Sequence, residues 1–270
     1  MTDRRRNRRR DESVRTSYVG GKRAVLEAVR AGRAGAVTIA EGGKATEGLR
    51  DLLAAVESAG ITVDRRPSSE LDALAGDHRG VVARVAVPAD LSERDLATFP
   101  FTDDALVVVL DGIEDPQNLG AAARVADGAG AEMLVTRTRR SAPVTASAIR
   151  ASAGALVTLP HARVANIARA IGRLKDGGFE VLGLDERAPG GIYEEPCPAG
   201  RVAVVAGSEG TGLARLVRES CDVLVSLPMR GEVASLNVAT ALAAVLYGSV
   251  LPSRVVVPGS EDREPGPLPG

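Results

Sequence analysis

From residue 105 onward the chain alternates short runs that are apolar throughout with stretches of helical periodicity. Residues 105–110 (Ala-Leu-Val-Val-Val-Leu) form such a run, 119–130 read as a helix, and 131–135 as a second strand. Helix 164–175, strands 179–184 and 202–206, helix 213–219, strand 223–227 and helix 235–250 follow. A strand with water on one face alternates polar and apolar residues; a strand apolar at every position must be covered on both. Such strands alternating with helices predict an α/β domain built on a parallel sheet, spanning 104–252.

The preceding chain has a different grain. Residues 18–87 carry helical periodicity at 22–31 and 46–59 and strand-like runs at 36–40 and 80–87, which predicts a small α/β domain. The Pro-punctuated, mixed stretch 88–103 reads as a linker. Residues 1–17 contain Arg4-Arg5-Arg6-Asn7-Arg8-Arg9-Arg10, a block that cannot be buried, and 253–270 are rich in Pro, Gly and acid; both ends are expected to be disordered. The arginine block is either a solvated tail or a phosphate-binding arm, and the net charge of −1 hides it.

Composition narrows the function. Aromatic residues make up 2% of the chain and Trp is absent, so cores must be aliphatic and base stacking on aromatic platforms is an unfavoured binding mode. No apolar run is long enough for a membrane span, and the first residues lack the apolar stretch of a signal peptide, so a cytoplasmic protein is expected. Cys197 and Cys221 have neither metal spacing nor a catalytic signature and read as reduced thiols; no metal is expected.

Three polar, Gly-bearing segments each follow a strand. Open parallel sheets bind ligands beyond the carboxyl ends of their strands, so one pocket lined by all three is expected. The first runs through Asp115-Pro116-Gln117-Asn118-Leu119-Gly120 to Arg124. Asn118 is placed to cap the following helix, and Gly120, one turn before Arg124, would leave room for a ligand backbone beside the guanidinium. The second, Gly207-Ser208-Glu209-Gly210-Thr211-Gly212, fails the dinucleotide fingerprint at Glu209 and lacks the Lys-Ser/Thr of a Walker loop. In the third, Pro228 to Ala234, the chain leads to Ser235, read as a helix cap, and to Asn237, a polar group entering an otherwise apolar helix. Each segment alone fits an ordinary turn or cap.

In their order and spacing the three segments resemble the motifs of the SpoU (TrmH-type) RNA methyltransferases. Tyr18-Val19-Gly20-Gly21-Lys22-Arg23 and His78-Arg79-Gly80-Val81 look like that family's small substrate RNA-binding domain, related to RNA-binding ribosomal proteins. Arg79 stands where the family often has Gln. Arg140-Ser141-Ala142-Pro143 and 163–170 are similar to the RlmB-type branch, which methylates a guanosine of 23S ribosomal RNA.

The resemblance implies a trefoil-knotted SPOUT domain, a homodimer, S-adenosylmethionine as cofactor and RNA as partner. By motif it assigns Asn118, Arg124, Glu209, Ser235 and Asn237 to the catalytic group, and Gly207, Leu227 and Leu236 to cofactor contact. The reaction needs a ribose hydroxyl oriented and its developing charge stabilised. A guanidinium has no proton-accepting site, so Arg124 is expected to hold an adjacent phosphate and stabilise the alkoxide, oriented by Glu209. Within the enzyme class the alternatives are a transfer RNA substrate or an antibiotic-resistance methylation. Outside it, a catalytically silent ribosome-assembly factor would not need Arg124 or Asn118, and a nucleotide-binding dehydrogenase would need the fingerprint that fails at Glu209.

Overall fold

The computed structural model describes residues 14–42, 46–88, 90–192, 198–232 and 235–254. The arginine block, the Pro-Gly-acid stretch beyond 254 and Cys197 lie outside the described residues.

The first sheet has four strands, β1 (Val14–Gly20), β2 (Ala34–Ala40), β3 (Val63–Arg66) and β4 (Val81–Pro88), in the order β1-β4-β2-β3. The β1–β4 and β4–β2 pairs are antiparallel and β2–β3 is parallel. Its helices are α1 (Lys22–Arg30), α2 (Glu47–Ser58) and α3 (Ser68–Leu74). β1 begins inside the stretch read as a disordered arm, with Val14 opposite Pro88, because β4 offers a full ladder of backbone partners that polarity alone does not reveal. β3 reads Val-Asp-Arg-Arg and is exposed throughout, so no hydrophobic pattern marks it. The linker stretch contains a short helix, α4 (Glu93–Leu96), whose start is held by the Ser92 N–H donating to the Asp95 carboxylate at 2.7 Å.

The second sheet has seven strands. They are β5 (Leu106–Asp111), β6 (Met133–Arg137), β7 (His161–Val164), β8 (Glu180–Leu184), β9 (Gly190–Gly191), β10 (Val202–Gly207) and β11 (Val223–Ser226), in the order β7-β6-β5-β10-β8-β11-β9. Every pair in this sheet is parallel. The helices are α5 (Pro116–Gly128), α6 (Ala146–Ala151), α7 (Ala155–Thr158), α8 (Ile167–Asp176), α9 (Arg215–Ser220), α10 (Val238–Val245) and α11 (Leu251–Arg254), with a π-helical turn, Leu246–Val250, between the last two. Pro252 lacks an N–H and its ring would meet the carbonyl of residue 248, which accounts for the widened turn just before it.

The period-two geometry of a strand explains the unbroken apolar runs. Leu106, Val108 and Leu110 of β5 pack into one hydrophobic cluster, and Val107 and Val109 into another on the opposite face. In β10, Val202, Val204 and Ala206 divide from Ala203 and Val205 in the same way. The first cluster also contains Val19, Val25, Val37 and Leu52, so the two sheets share one core rather than standing apart on a linker.

Helix bounds differ from expectation where a cap decides them. Residues 161–164 are strand, and α8 starts only after Asn166, whose side chain accepts from the Arg169 N–H. α10 starts at Val238 rather than Ser235, because Asn237 is its cap, accepting from the Ala239 N–H at 2.9 Å.

Candidate active site

The three polar segments meet at one end of the second sheet, where β5, β10 and β11 run out. After β5 the chain enters α5 through Asp115, whose carboxylate accepts from the Gln117 N–H at 3.0 Å, with Pro116 in the first turn. Asp115 therefore does the capping expected of Asn118. An aspartate directly before Pro at the first helical position is the stronger start signal. Asn118 is thereby left inside the first turn with its amide free for other partners.

Those partners come from the other two segments. Asn118 Nδ2 donates to Glu209 Oε1 at 3.0 Å. Asn237 Nδ2 donates to the same carboxylate oxygen at 2.8 Å and to Asn118 Oδ1 at 2.8 Å. The amide orientations are set by the network. Asn237 Oδ1 is occupied by the Ala239 N–H, which turns its amino group outward, and a carboxylate can only accept. Residues 91 and 28 apart along the chain are thus joined in one triangle.

The segment carrying Glu209 is a tight closed loop. Gly212 N–H donates to the Ser208 carbonyl at 2.9 Å, and the Ser208 and Thr211 hydroxyls are hydrogen-bonded. A Cβ on Gly207 would sit 2.2 Å from the Gly212 carbonyl carbon, so this glycine is required by the loop's own return path. The loop is anchored from β5. Asp111, 3% exposed, accepts from the Ala214 N–H at 3.0 Å and forms an ion pair with Arg137 at 2.8 Å. Sequence reasoning missed this residue, whose only signal is an acid closing an otherwise apolar run.

Beside the triangle lies a cavity of about 120 Å³ between the ends of β8, β10 and β11. Gly207, Leu227 and Leu236, the three expected cofactor contacts, all line it, together with Glu209 and Ser235. Asp185 and Glu186 add two carboxylates, and among the described residues no lysine or arginine belongs to the lining. Asp185 is itself held in place, accepting from the Arg187 N–H at 2.9 Å and paired with Arg218.

Arg124 is not brought into this group. It is exposed on α5, six residues beyond Asn118, and so about 120° round the helix from it. It faces a second cleft with Gln117. Nor does Gly120 leave room for a ligand. A Cβ there would lie 2.3 Å from the Ala148 carbonyl oxygen and 2.6 Å from the Ala151 Cβ, so the missing side chain serves the close packing of α6 on α5. Glu209, expected to orient Arg124, is engaged by the two asparagine amides instead. Away from the site, burial pushes the Cys221 thiol up to about 12, and its Sγ donates to the Val217 carbonyl, which makes it an inert packing residue. Among the described residues no cluster of His, Cys, Asp and Glu could hold a metal ion, and no helix is long and apolar enough to cross a membrane.

Comparison with known proteins agrees with this layout. The family described as SpoU rRNA methylase matches residues 105–247, and the RNA 2′-O ribose methyltransferase substrate-binding family matches residues 18–90. A Burkholderia protein named 23S rRNA (guanosine-2′-O-)-methyltransferase RlmB is 39% identical over 204 residues, covering 75% of this chain and 82% of its own. A Mycolicibacterium paratuberculosis protein, described as an uncharacterized tRNA/rRNA methyltransferase, is 40% identical over 252 residues, or 90% and 79% of the two chains. The crystal structure of the SpoU methyltransferase AviRb from Streptomyces viridochromogenes, in complex with AdoMet, superposes with a TM-score of 0.71 at 27% identity, covering 92% of each chain. With a catalytic-domain match over more than half its length and three motifs meeting in one place, this chain belongs to the SpoU rRNA methylase family.

Proposed function

We propose that this protein is an S-adenosylmethionine-dependent RNA 2′-O-ribose methyltransferase acting on a guanosine of 23S ribosomal RNA. The observation that carries the reading is the Asn118–Glu209–Asn237 triangle, which ties three strand-end loops together at the mouth of the cavity. The cavity's chemistry fits the cofactor. Its apolar walls suit an adenosine, and the carboxylates of Glu186 and Glu209, with no lysine or arginine among the described lining residues, favour a sulfonium over the pyrophosphate of a dinucleotide. Gly207, Leu227 and Leu236 would hold it, largely through backbone groups and apolar surface. When bound, it supplies an electrophilic methyl group.

The chain's own residues then have to place a ribose hydroxyl and manage its charge. Asn118 and Asn237 fix the Glu209 carboxylate through Oε1 and leave Oε2 as a further acceptor. Ser235, exposed at the rim, offers a second polar contact. Arg124 faces the second cleft rather than the cavity, so its part is to hold a phosphate of the bound RNA and thereby seat the target ribose. It takes no proton, since a guanidinium has no lone pair to offer. The reading includes a cytoplasmic homodimer with the trefoil knot of its family.

The experiment is a map of 2′-O-methyl positions in total RNA with and without the gene, with calorimetry of the purified protein. Loss of one 23S guanosine methylation and saturable S-adenosylmethionine binding are expected. Saturable NAD binding without either would overturn the reading. The transfer RNA alternative has one observation in its favour, the tRNA/rRNA description of a relative matching 90% of the chain, and the same map decides it.

A further inference from the structure

An acid stands on each side of β10 where the strands run out. Asp111 ends β5 opposite Gly207 of β10, and Asp185 directly follows Leu184 of β8, which pairs with Ala206. Side chains alternate along a strand, so Asp111 falls on the face of Val107 and Val109, and Asp185 on that of Val181. Those three valines share a core with Leu213 and Val217 at the start of α9. Both acids are nearly closed to solvent, Asp111 at 3% and Asp185 at 6%. An ionised carboxylate at that depth needs a partner, and each has a guanidinium. Arg137 of β6 lies 2.8 Å from Asp111, and Arg218 of α9 lies 2.5 Å from Asp185. The atoms that meet in both pairs are shut off from water and are joined by charge rather than by an aligned hydrogen bond.

The two acids are connected through α9. Asp111 holds both ends of the loop that carries Glu209, since its backbone pairs with Gly207 and its Oδ2 accepts from the Ala214 N–H at 3.0 Å. The Ala214 carbonyl accepts in turn from the Arg218 N–H at 2.9 Å. Residues 214 and 218 are one turn apart and share a helix face. From there the Arg218 side chain reaches Asp185. Asp185 also shapes the turn that follows it, with Oδ1 accepting from the Arg187 N–H at 2.9 Å and its carbonyl from the Ala188 N–H at 3.0 Å. That turn places Asp185 and Glu186 in the wall of the cofactor cavity. α9 itself has six residues, of which only Val217 is buried. A helix so short does not fix its own position, which leaves the contacts with the two acids to set it.

We infer that Asp111 and Arg218 are positioning residues for methyl transfer, with α9 acting as a strut that holds the Glu209 loop and the cavity wall at one fixed separation. Resting on the methyltransferase reading, it adds a link between cofactor binding and the placement of Glu209. Neither Asp111 nor Arg218 is among the described residues of the cavity lining, so both act through others. Arg218 acts through Asp185 on the wall, and Asp111 acts through Ala214 on the loop. Because one helix joins the two, a cofactor that steadies the wall also steadies the Glu209 loop, and loosening either pair loosens both.

The test compares the full chain with Arg218→Met and with the paired variant Arg218→Met/Asp185→Asn. Its readouts are thermal melting, initial rates on a 23S rRNA transcript, and amide exchange over residues 207–214. Arg218→Met alone leaves a buried, uncompensated Asp185 and should melt lower, and removing the second charge should recover much of that loss. A pair serving stability alone would recover cofactor affinity with it. A positioning pair would not, so KM for S-adenosylmethionine should stay raised about tenfold in both variants while KM for RNA holds. Exchange over 207–214 should quicken in both variants without any ligand, although residue 218 lies outside that segment. Adding S-adenosylmethionine should slow it in the wild-type protein. Recovery of cofactor affinity in the paired variant, or exchange over 207–214 unchanged by Arg218→Met, would overturn the strut. If exchange quickens in the variants but the wild-type protein binds no S-adenosylmethionine, the proposed function falls and the strut stands.

Discussion

Asn237 makes two kinds of bond with one side chain, and they can be separated. Its Oδ1 caps α10, and its Nδ2 reaches Glu209 and Asn118. Asn237→Ser keeps a capping oxygen but is too short to bridge, so thermal stability should stay near wild type while methyl transfer falls at least tenfold. Asn237→Ala should lose both, with about 1 kcal/mol of stability gone with the cap. Equal melting temperatures for the two variants would show that the cap is not what the side chain contributes. Arg124 has no such structural duty, being exposed on α5. Arg124→Ala should lower methyl transfer by about 10²-fold, on the scale of misplacing a substrate by about 1 Å, with cofactor affinity unchanged. Arg124→Lys should also fail, since a point charge does not reproduce the planar fork. A Lys variant near wild-type activity would remove the phosphate-holding role. Asp127, in the last turn of α5 and exposed at its surface, has its carboxyl pushed up by partial desolvation and by Glu27. A folded-state value above the unfolded one means the group favours the folded state only at acid pH, and that contribution is lost as pH rises through the folded value. Asp127→Asn should therefore raise the melting temperature at pH 7 and not at pH 3. A melting temperature lowered equally at both would show that the carboxylate serves a structural bond.

Single elements in this molecule meet through absent side chains. α5 and α6 approach closely because Gly120 presents nothing between them, and Ala122, Ala123 and Ala148 keep the neighbouring surface low. Gly120→Ala would force its Cβ against the Ala148 carbonyl, and overpacking of this kind costs about 1–3 kcal/mol. Since α5 carries Asn118 and Arg124, the shift should also raise KM for RNA. Unfolding by denaturant together with initial rates on rRNA checks this, and wild-type values of both would show that α6 relaxes freely. The helical spacing of Gly120 and Arg124 was legible in the sequence, but it fits a ligand and a packed helix equally well. Only the arrival of α6 decides between them. The same holds for Asn118 and Ser235, each a plausible cap by local rule. Asp115 and Asn237 were the better placed, by their position before Pro116 and by the direction of the chain leaving β11.

Taken whole, the protein exposes Met229, Leu236 and Tyr247 on the side of the cofactor cavity and the final helix. A dimer that covered this face would also complete the surroundings of the cavity. Light scattering should give about twice the chain mass of 27.9 kDa, and Tyr247→Asp should give monomers with weakened cofactor binding. A fully active monomer would separate the site from assembly. The sequence alone determined the parallel α/β architecture, because burial on both faces must appear as unbroken apolar strands, and it determined the family through the order of three motifs. Strand-end geometry gave only a single pocket lined by three loops; Gly207, Leu227 and Leu236 were assigned through the family's motifs, and all three line the cavity. The merging of the two domains over one core was decided by tertiary structure, and so was the division of α5 between a carboxylate triangle and a second cleft. Periodicity records whether a residue is buried, but not against what. Pairings such as Asn118 with Asn237, 119 residues apart, exist only once the sheet has brought their loops to the same edge.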